Sequence, residues 1–214
     1  MALRIAFDLD GVLADMDSEL ARCTEELFGG SASGLPDLGV SQERQLWRHV
    51  ETVENFWERL PELEEGAVRR LAGIADERRW EVIFITTRPS TAGATVQVQS
   101  QRWLQAKGFP LPSVYVVYGS RGKVASALNL DVVVDDRLDN CLDVIADSTA
   151  RPILFVDASR QGRLSAGAKR LGIAIVQTME ECLGSLTQLE TPEPDNAGLV
   201  ARVMRTLGLS DSPK

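Results

Sequence analysis

Acidic, hydroxyl and basic side chains stand directly after three short apolar segments of the sequence. They form the groups DLDG at 8–11, TTR at 86–88 and DDR at 135–137. In open α/β sheets, ligands bind beyond the carboxyl ends of the strands. If the apolar segments are parallel strands, the three groups lie together at one edge of a sheet.

Four carboxylates are expected to converge at that edge, those of Asp8, Asp10, Asp135 and Asp136. Without a cation, their mutual repulsion would cost several kcal/mol. A hard, oxygen-seeking ion such as Mg²⁺ removes that cost and keeps coordination sites for water and a phosphate oxygen. Any one of these aspartates could instead cap a helix or a turn, but the whole set in this order favours a magnesium site.

Six short apolar segments, rich in β-branched residues, predict the strands that position these side chains: 3–8, 82–86, 114–118, 131–135, 152–156 and 173–176. Their nearly continuous hydrophobicity is typical of a parallel sheet that is covered on both faces. Helical patterns lie between them, with apolar residues three and four positions apart. The alternation predicts an α/β fold with a doubly wound parallel sheet.

The gap between the first two strands, about seventy residues, is too long for a structureless loop. Residues 18–28 and 41–59 each carry apolar side chains on one helical face, and Gly29 and Gly30 end the first pattern. We therefore interpret 15–64 as a small helical cap inserted after the first strand.

The α/β core would then comprise 1–14 and 65–189. Prolines and charges at 190–196 (ETPEPDN) predict a linker. An amphipathic pattern follows it, so that 190–214 is interpreted as a linker and a C-terminal helix.

Composition limits the class of partner. The net charge is −8, and an acidic surface repels polynucleotide phosphate, so a small phosphomonoester is a better candidate than DNA or RNA. No apolar run reaches transmembrane length, and the N-terminus lacks the long uncharged run of a secretory signal. We expect a cytoplasmic protein without a membrane partner, and the three cysteines, which form no CxxC, are expected to be reduced core residues.

These motifs resemble those of the haloacid dehalogenase (HAD) superfamily of phosphohydrolases. The resemblance rests on FDLDGVLAD at 7–15, VIFITTRP at 82–89, Lys123 and VVVDDRLDN at 132–140. The form DLDGVLAD, the insertion directly after it, the segment NFWERLPELEEGAV at 55–68 and the ending DDR are similar to the 5′(3′)-deoxyribonucleotidase family.

The resemblance implies roles for the four aspartates. Asp8 would attack phosphorus and form an aspartyl-phosphate, which divides one difficult displacement into two steps. Asp10 would protonate the leaving oxygen and later deprotonate the attacking water, and its backbone carbonyl would bind magnesium. Asp136 would be a direct metal ligand, and Asp135 would orient a metal-bound water.

The resemblance also implies a set of groups that hold the phosphate. The Thr86 hydroxyl would bind it together with nearby backbone N–H groups, with Leu9 and Thr87 as further contacts, and Thr87 could fill the hydroxyl position instead. Lys123 would offset the negative charges of the phosphate and the nucleophile. Arg121 competes with Lys123 for that position, and Lys123 is preferred because the family uses lysine.

Other residues concern the choice of substrate. Trp47, Phe56 and Trp57 lie in the expected cap, where family members bind a base, although aromatic residues there could equally be ordinary packing. Arg88 and Arg137 flank the site and either contact substrate or pair with the carboxylates.

Three functions remain open at this stage. The first is a magnesium-dependent nucleotidase that releases phosphate from (deoxy)nucleoside monophosphates. The second is a phosphatase of the same mechanism that acts on another small phosphomonoester, such as a sugar phosphate. The third is a non-catalytic phosphate-binding protein, which the presence of both Asp8 and Asp10 disfavours because binding alone needs no acid/base group.

Overall fold

The protein contains a parallel β-sheet with helices on both sides. The computed structural model describes residues 2–29, 38–156, 168 and 171–190. Within these ranges the elements, in chain order, are β1 Arg4–Phe7, α1 Met16–Phe28, α2 Val40–Thr52, a 3₁₀ turn Phe56–Glu58, α3 Ala67–Arg78, β2 Glu81–Thr86, α4 Val96–Ala106, β3 Ser113–Val116, α5 Arg121–Ala127, β4 Val132–Asp135, α6 Leu138–Asp147, β5 Arg151–Phe155, β6 Ala174–Val176 and α7 Met179–Glu190.

The six strands form one sheet in the order β3-β2-β1-β4-β5-β6, and every pairing is parallel. The predicted α/β fold with a doubly wound parallel sheet is confirmed, and each predicted strand lies within two residues of an observed one. The order reverses between β1 and β4, so their carboxyl ends flank the crevice in which such sheets bind ligands. The chemically active groups follow β1, β2 and β4, which are neighbours in the sheet.

Residues of the insertion share one hydrophobic core with the sheet. Leu20 of α1, Leu46 of α2 and Phe56 of the 3₁₀ turn belong to the same buried cluster as Phe7 and Phe84 of the central strands. The insertion therefore rests on the sheet through apolar packing, which is the dominant stabilising contribution in a fold of this size.

Backbone hydrogen bonds join the two ends of the insertion. Asp15 N donates to Pro61 O at 3.0 Å, and Leu63 N donates to Leu13 O at 2.8 Å. Ala14 and Glu62 also form an antiparallel bridge. The chain thus leaves the sheet after β1 and returns beside the point from which it left.

The predicted helix over 41–59 is wrong in its last third. Helix α2 ends at Thr52, and Asn55 adopts a left-handed conformation with φ 52° before the 3₁₀ turn begins. A left-handed residue cannot continue a right-handed helix. Trp57 therefore does not lie on the α2 face that carries Leu46 and Val50, although its hydrophobic spacing suggested that it did.

The remaining predictions have mixed outcomes. Helix α1 ends at Phe28, and Gly29 caps it with φ 71°, a conformation that favours glycine. All three cysteines are free and buried, as expected, and burial raises the pKa of Cys182 to about 12. The predicted C-terminal helix falls beyond Glu190, outside the described residues. Among the described residues, no helix is long and apolar enough to span a membrane.

Candidate active site

The loop after β1 carries two carboxylates with different surroundings. Asp8 lies directly after the strand and is 8% exposed, and Asp10 follows two residues later with its carboxylate turned toward Arg88. The side chain of Leu9 between them is fully buried, so Leu9 can contact a ligand in the cavity only through its backbone. Gly11 has φ 78°, and a Cβ there would overlap the Asp136 carboxylate, so glycine is required for the two loops to approach.

Asp8, Asp135 and Asp136 bring carboxylate oxygens within 4.8 Å of one another. Burial raises the pKa of Asp8 well above its usual value, the nearby Asp135 raises it further, and Arg121 opposes the rise. Burial also raises the pKa of Asp135. A hard cation would remove this electrostatic cost, because carboxylate oxygens are the ligands that Mg²⁺ prefers. The donor set therefore fits the predicted ion.

Asp135 is the most buried of the three and has protein partners of its own. It accepts hydrogen bonds from Arg137 N and from Asn140 Nδ2, both at 2.9 Å. Such partners fix the orientation of a carboxylate beside a metal site. The Asp10 carboxylate is not part of this group in the described chain, which leaves its backbone carbonyl as the atom that the family resemblance assigns to magnesium.

Among the described residues, the cation that contacts Asp8 is Arg121, whereas Lys123 is exposed on the surface of α5 and does not line the cavity. Ser120 caps α5, and Arg121 is its first residue. Successive helical residues differ by about 100° around the axis, so positions two apart point in nearly opposite directions. Gly122 and Ala125 face inward, and a Cβ at Gly122 would overlap the backbone of α6. The expectation that Lys123 lies beside Asp8 therefore does not fit this geometry.

Arg121 bridges the two buried aspartates and is itself 3% exposed. Its Nη2 donates to Asp8 Oδ1 at 3.2 Å, and its Nε lies 3.6 Å from Asp135 Oδ2. Its Nη1 is buried and has no hydrogen-bond partner within the part of the chain that the structure describes. An unpaired buried donor costs roughly 1–3 kcal/mol, and Arg121 lines the cavity, so its guanidinium is suited to an anionic ligand.

The two threonines after β2 occupy different environments. Thr86 is fully buried, and its hydroxyl lies 3.4 Å from Asp10 Oδ2. Thr87 lines the cavity, but its hydroxyl donates to Val117 O at 2.6 Å. A ligand would have to compete with an existing partner for either hydroxyl.

Arg88 is completely buried, and each of its three nitrogens has a protein acceptor. Nε and Nη2 donate to the two oxygens of Asp10 at 2.8 and 2.7 Å, and Nη1 donates to Ser100 Oγ at 2.9 Å. The expected contact between Arg88 and substrate thus has no support in this arrangement. Pairing with a carboxylate, the second possibility for Arg88, is what the structure shows.

A cavity of about 840 Å³ lies above these groups. Its base contains Asp8, Asp10, Arg121 and Asp136, which we call the floor. The insertion provides the opposite side, which we call the wall. It is formed by Asp15, Met16, Asp17, Ser18, Trp47, Trp57 and Leu63.

The two wall tryptophans differ in how much freedom they have. Trp47 is half-buried and lines the cavity from α2. Trp57 is fully buried, donates from Nε1 to Pro89 O at 3.0 Å and holds its ring 4.7 Å from Arg88 Cζ. Phe56 packs edge-on against it and does not line the cavity. Of the three aromatic residues, Trp47 has the ring best placed to meet a ligand.

Sequence reasoning missed two contacts of the site. Asn140 was part of a quoted motif, and its spacing of five from Asp135 across a strand end and one helical turn could have identified it. Ser100 lies in α4, one of the helices expected between the strands. A serine inside a helix carries no signal that it pairs with an arginine twelve residues earlier.

Comparison with known proteins supports the fold. No family model matches the chain, and neither does any curated protein. The chain is similar to the solved structure of a hydrolase from Pseudomonas syringae, with 15% identity, 87% of this chain and 98% of the other covered, and a TM-score of 0.53. It is also similar to a protein assigned as a β-phosphoglucomutase from Thermotoga maritima, with 19% identity, coverage of 87% and 99%, and a TM-score of 0.58.

A third similar structure is a HAD hydrolase of family IA, variant 3, from Entamoeba histolytica HM-1:IMSS. It has 14% identity, coverage of 84% and 94%, and a TM-score of 0.52. At such identities the likeness establishes the architecture, a Rossmann-like α/β fold shared with HAD hydrolases. None of the three is described as a nucleotidase, so the finer resemblance to the deoxyribonucleotidases is not confirmed.

Proposed function

We propose that the protein is a magnesium-dependent hydrolase of small phosphomonoesters that uses Asp8 as its nucleophile. The observation that carries this proposal is the buried Arg121, which holds Asp8 at 3.2 Å and leaves Nη1 without a partner in the described chain. An arginine fixed beside a carboxylate nucleophile can bind a phosphate oxygen and reduce the repulsion between the two anions. The shared HAD architecture agrees with this chemistry.

Three carboxylates would form the metal site. Asp136 and Asp8 are suitable direct ligands, and Asp135 is held by Asn140 in a position to orient a bound water. Mg²⁺ bound there would offset the negative charge of the floor and polarise a phosphate oxygen. The close approach of Asp136 to Gly11 supports this assignment, because it brings the loops after β1 and β4 together at one point.

The reaction would proceed in two displacements. An Asp8 oxygen attacks phosphorus, the bond to the ester oxygen breaks, and Asp10 gives that oxygen a proton. Water then attacks the aspartyl-phosphate, Asp10 takes a proton from it, and phosphate leaves while the Asp8 carboxylate is regenerated. Arg121 would hold the phosphoryl oxygens in both steps, in the position for which Lys123 had been expected.

A nucleoside monophosphate is the first candidate substrate. Trp47 supports it, since a half-buried indole at the wall offers a surface on which a base can stack. The insertion over 15–64 would act as the cap that selects the substrate. Hydrogen bonds join its two ends, and its wall residues line the same cavity as the floor, which supports this role.

A sugar phosphate is the second candidate, and it fits the general architecture at least as well. One similar structure is assigned as a β-phosphoglucomutase. The start of α1 also places polar groups, among them Ser18 and Asp17, on the cavity, and hydroxyl-rich ligands bind through such groups. A phosphate-binding protein without catalysis is the weakest candidate, because Asp10 would then have no proton to transfer.

The experiment that tests the proposal is hydrolysis of an aryl phosphate with and without Mg²⁺, followed by a panel of nucleoside monophosphates and sugar phosphates. We expect turnover that requires the metal and stops on chelation. Phosphate binding without turnover, in the presence of Mg²⁺, would contradict the enzymatic proposal and favour the non-catalytic one. Higher kcat/KM on the sugar phosphates would reject the nucleotidase in favour of the second candidate.

A further inference from the structure

We propose that Arg88 is a positioning residue that fixes the carboxylate of Asp10 and links its position to Trp57 at the wall of the cavity. This inference rests on the proposed function, because it assigns a structural cause to the orientation of the acid/base group. Arg88 itself has no path to the substrate, since its side chain is fully buried and each nitrogen has a protein partner.

Arg88 and Asp10 form a bidentate pair. Two parallel N–H···O bonds of 2.7–2.8 Å fix both the place and the plane of the carboxylate, which a single point charge cannot do. Ser100 on α4 accepts from the third nitrogen and thereby fixes the guanidinium in turn. Asp10 is thus oriented by a chain of contacts that begins in a core helix.

The same contacts distinguish the two oxygens of Asp10. Oδ2 accepts from Arg88 Nε and lies within 3.4 Å of the Thr86 hydroxyl, whereas Oδ1 accepts only from Arg88 Nη2 among the contacts of the described chain. A carboxylate oxygen can accept about two hydrogen bonds. Oδ1 therefore keeps capacity for one more, and we assign it as the atom that exchanges a proton with the leaving oxygen.

Trp57 connects this pair to the wall. Its ring lies on the guanidinium of Arg88, with 4.7 Å between Cζ and the ring centroid, a cation–π contact. Its indole donates to Pro89 O, and its backbone N–H donates to Gln99 Oε1 at 3.1 Å. Pro89 directly follows Arg88 in the chain, and Gln99 directly precedes Ser100, which accepts a hydrogen bond from Arg88. The hydrogen bonds of Trp57 therefore hold both chain segments that fix the arginine. A displacement of Trp57 would therefore move Arg88, and Asp10 with it.

The proposal makes a distinctive kinetic prediction. If Arg88 acts by orienting the acid/base group, its loss harms the reaction most when the leaving oxygen needs a proton. An alkyl phosphate, such as a nucleotide or a sugar phosphate, has such an oxygen, and an aryl phosphate with an acidic phenol does not. A purely structural role would lower activity on both substrates by the same factor.

The test compares Arg88→Met and Arg88→Lys with the wild type and with Asp10→Asn on both classes of substrate. Acid/base catalysis is worth about 10²–10⁴-fold, and misplacement of the group by about 1 Å costs about 10²-fold. For Arg88→Met we expect kcat to fall roughly 10- to 100-fold further on the alkyl phosphate than on the aryl phosphate. Arg88→Lys should show the same selectivity to a smaller extent, because lysine keeps the charge but not the paired donors.

A second set of variants keeps the proposal testable if Arg88→Met does not fold. Trp57→Phe keeps a ring over Arg88 but loses the indole hydrogen bond to Pro89, and Ser100→Ala removes one acceptor while leaving the Asp10 pair. Both should shift the ratio of alkyl to aryl activity in the direction of Asp10→Asn, by less than Arg88→Met does.

Equal losses on both substrates in correctly folded Arg88 and Trp57 variants would overturn the positioning role. Absence of phosphatase activity in the wild type would instead refute the proposed function, so the two failures are distinguishable. Trapping of the Asp8 adduct with beryllium fluoride is a further test. The adduct should still form in the Arg88 variants if only Asp10 has moved, and its loss there would count against the proposal.

Discussion

The floor and the wall of the cavity are built in different ways. The three floor aspartates lie in the loops that directly follow parallel strands, Arg121 begins α5, and an ionic contact joins Arg121 to Asp8. The wall comes from the start of α1, α2, the 3₁₀ turn and the loop after it, and its side chains range from the fully buried Trp57 through the half-buried Met16 and Trp47 to the exposed Ser18.

The difference suits the floor to the chemical step and the wall to the choice of substrate. A reacting group must be held within a fraction of an ångström, and adjacent strands of a packed sheet provide that rigidity. A substrate-selecting surface only needs complementary shape and a few polar contacts. Changes in the floor are expected to lower activity on every substrate, and changes in the wall are expected to alter the preference among substrates.

The largest expected effect is that of Asp8→Asn. The amide cannot form the aspartyl-phosphate, so hydrolysis of both an aryl phosphate and a nucleotide should fall by at least roughly 10⁴-fold. The measurement is kcat on both substrates together with trapping of a phosphoenzyme mimic. Asp76→Asn, the same change at an exposed position of α3, is the control and should keep wild-type activity. Turnover by Asp8→Asn close to that of the wild type would remove the basis for the assigned floor chemistry.

The next effect distinguishes the two cations of α5. Arg121→Met should lower kcat/KM by about 10²–10³-fold on every substrate, as loss of one oxyanion donor does, and Arg121→Lys should recover part of it. The matched control is Lys123→Met, which removes a cation two residues away on an exposed face and should change kcat/KM less than about twofold. If Lys123→Met gave the larger loss, Lys123 would have the role that the family resemblance implies. The exposed position of Lys123 on α5 would then not represent the active protein.

Much of the floor could be predicted from the sequence, and the reason is local. Asp8 and Asp136 follow apolar segments too short for helices, and parallel strands bring such ends together whatever the details of packing. The choice between Arg121 and Lys123 could not be made this way. It depends on which face of α5 meets α6, and only the close contact at Gly122 settles that.

The wall was less predictable because its residues depend on tertiary contacts. The apolar spacing from Leu46 to Trp57 continues a helical pattern, yet the left-handed Asn55 interrupts it. Asn55 is held in that conformation from outside the insertion, since its N donates to Ala92 O and its Oδ1 accepts from Ala94 N. No short-range signal in the sequence reports such a partner.

A smaller and more selective effect is expected at the wall. Trp47→Ala should raise KM for a nucleotide by roughly five- to hundredfold, since stacking on a base is worth about 1–3 kcal/mol, and should leave KM for an aryl phosphate nearly unchanged. Trp47→Phe, which keeps an aromatic surface, should recover most of the affinity. Parallel losses on both substrates would mean that Trp47 only supports the fold, and the division between floor and wall would then fail at the aromatic residue on which it most depends.

The smallest expected effect is on stability. It concerns the electrostatic free energy that the protein loses by holding Asp8 close to other carboxylates when no metal is bound. The pKa of Asp8 is raised well above its usual value, mainly by burial and then by Asp135. In the pH range between the usual carboxylate value and the raised one, the folded protein therefore binds more protons than the unfolded chain. The free energy of unfolding then falls as pH rises through that range.

Metal-free wild type should consequently lose thermal stability as pH rises above about 4, the usual carboxylate pKa, while Asp8→Asn should depend less on pH and be more stable at the upper end of that range. Each kcal/mol corresponds to about 2–4 °C for a protein of this size. Thermal unfolding of both proteins across this range, with and without Mg²⁺, is the measurement, and the ion should stabilise the wild type more than the variant because the variant lacks one anionic ligand. Asp76→Asn serves again as the control, since the same substitution at an exposed carboxylate should leave the pH profile unchanged. A metal-free wild type whose unfolding temperature rose steadily with pH would show that the floor carboxylates are not held at a cost, and the main physical reason for placing a cation there would be lost.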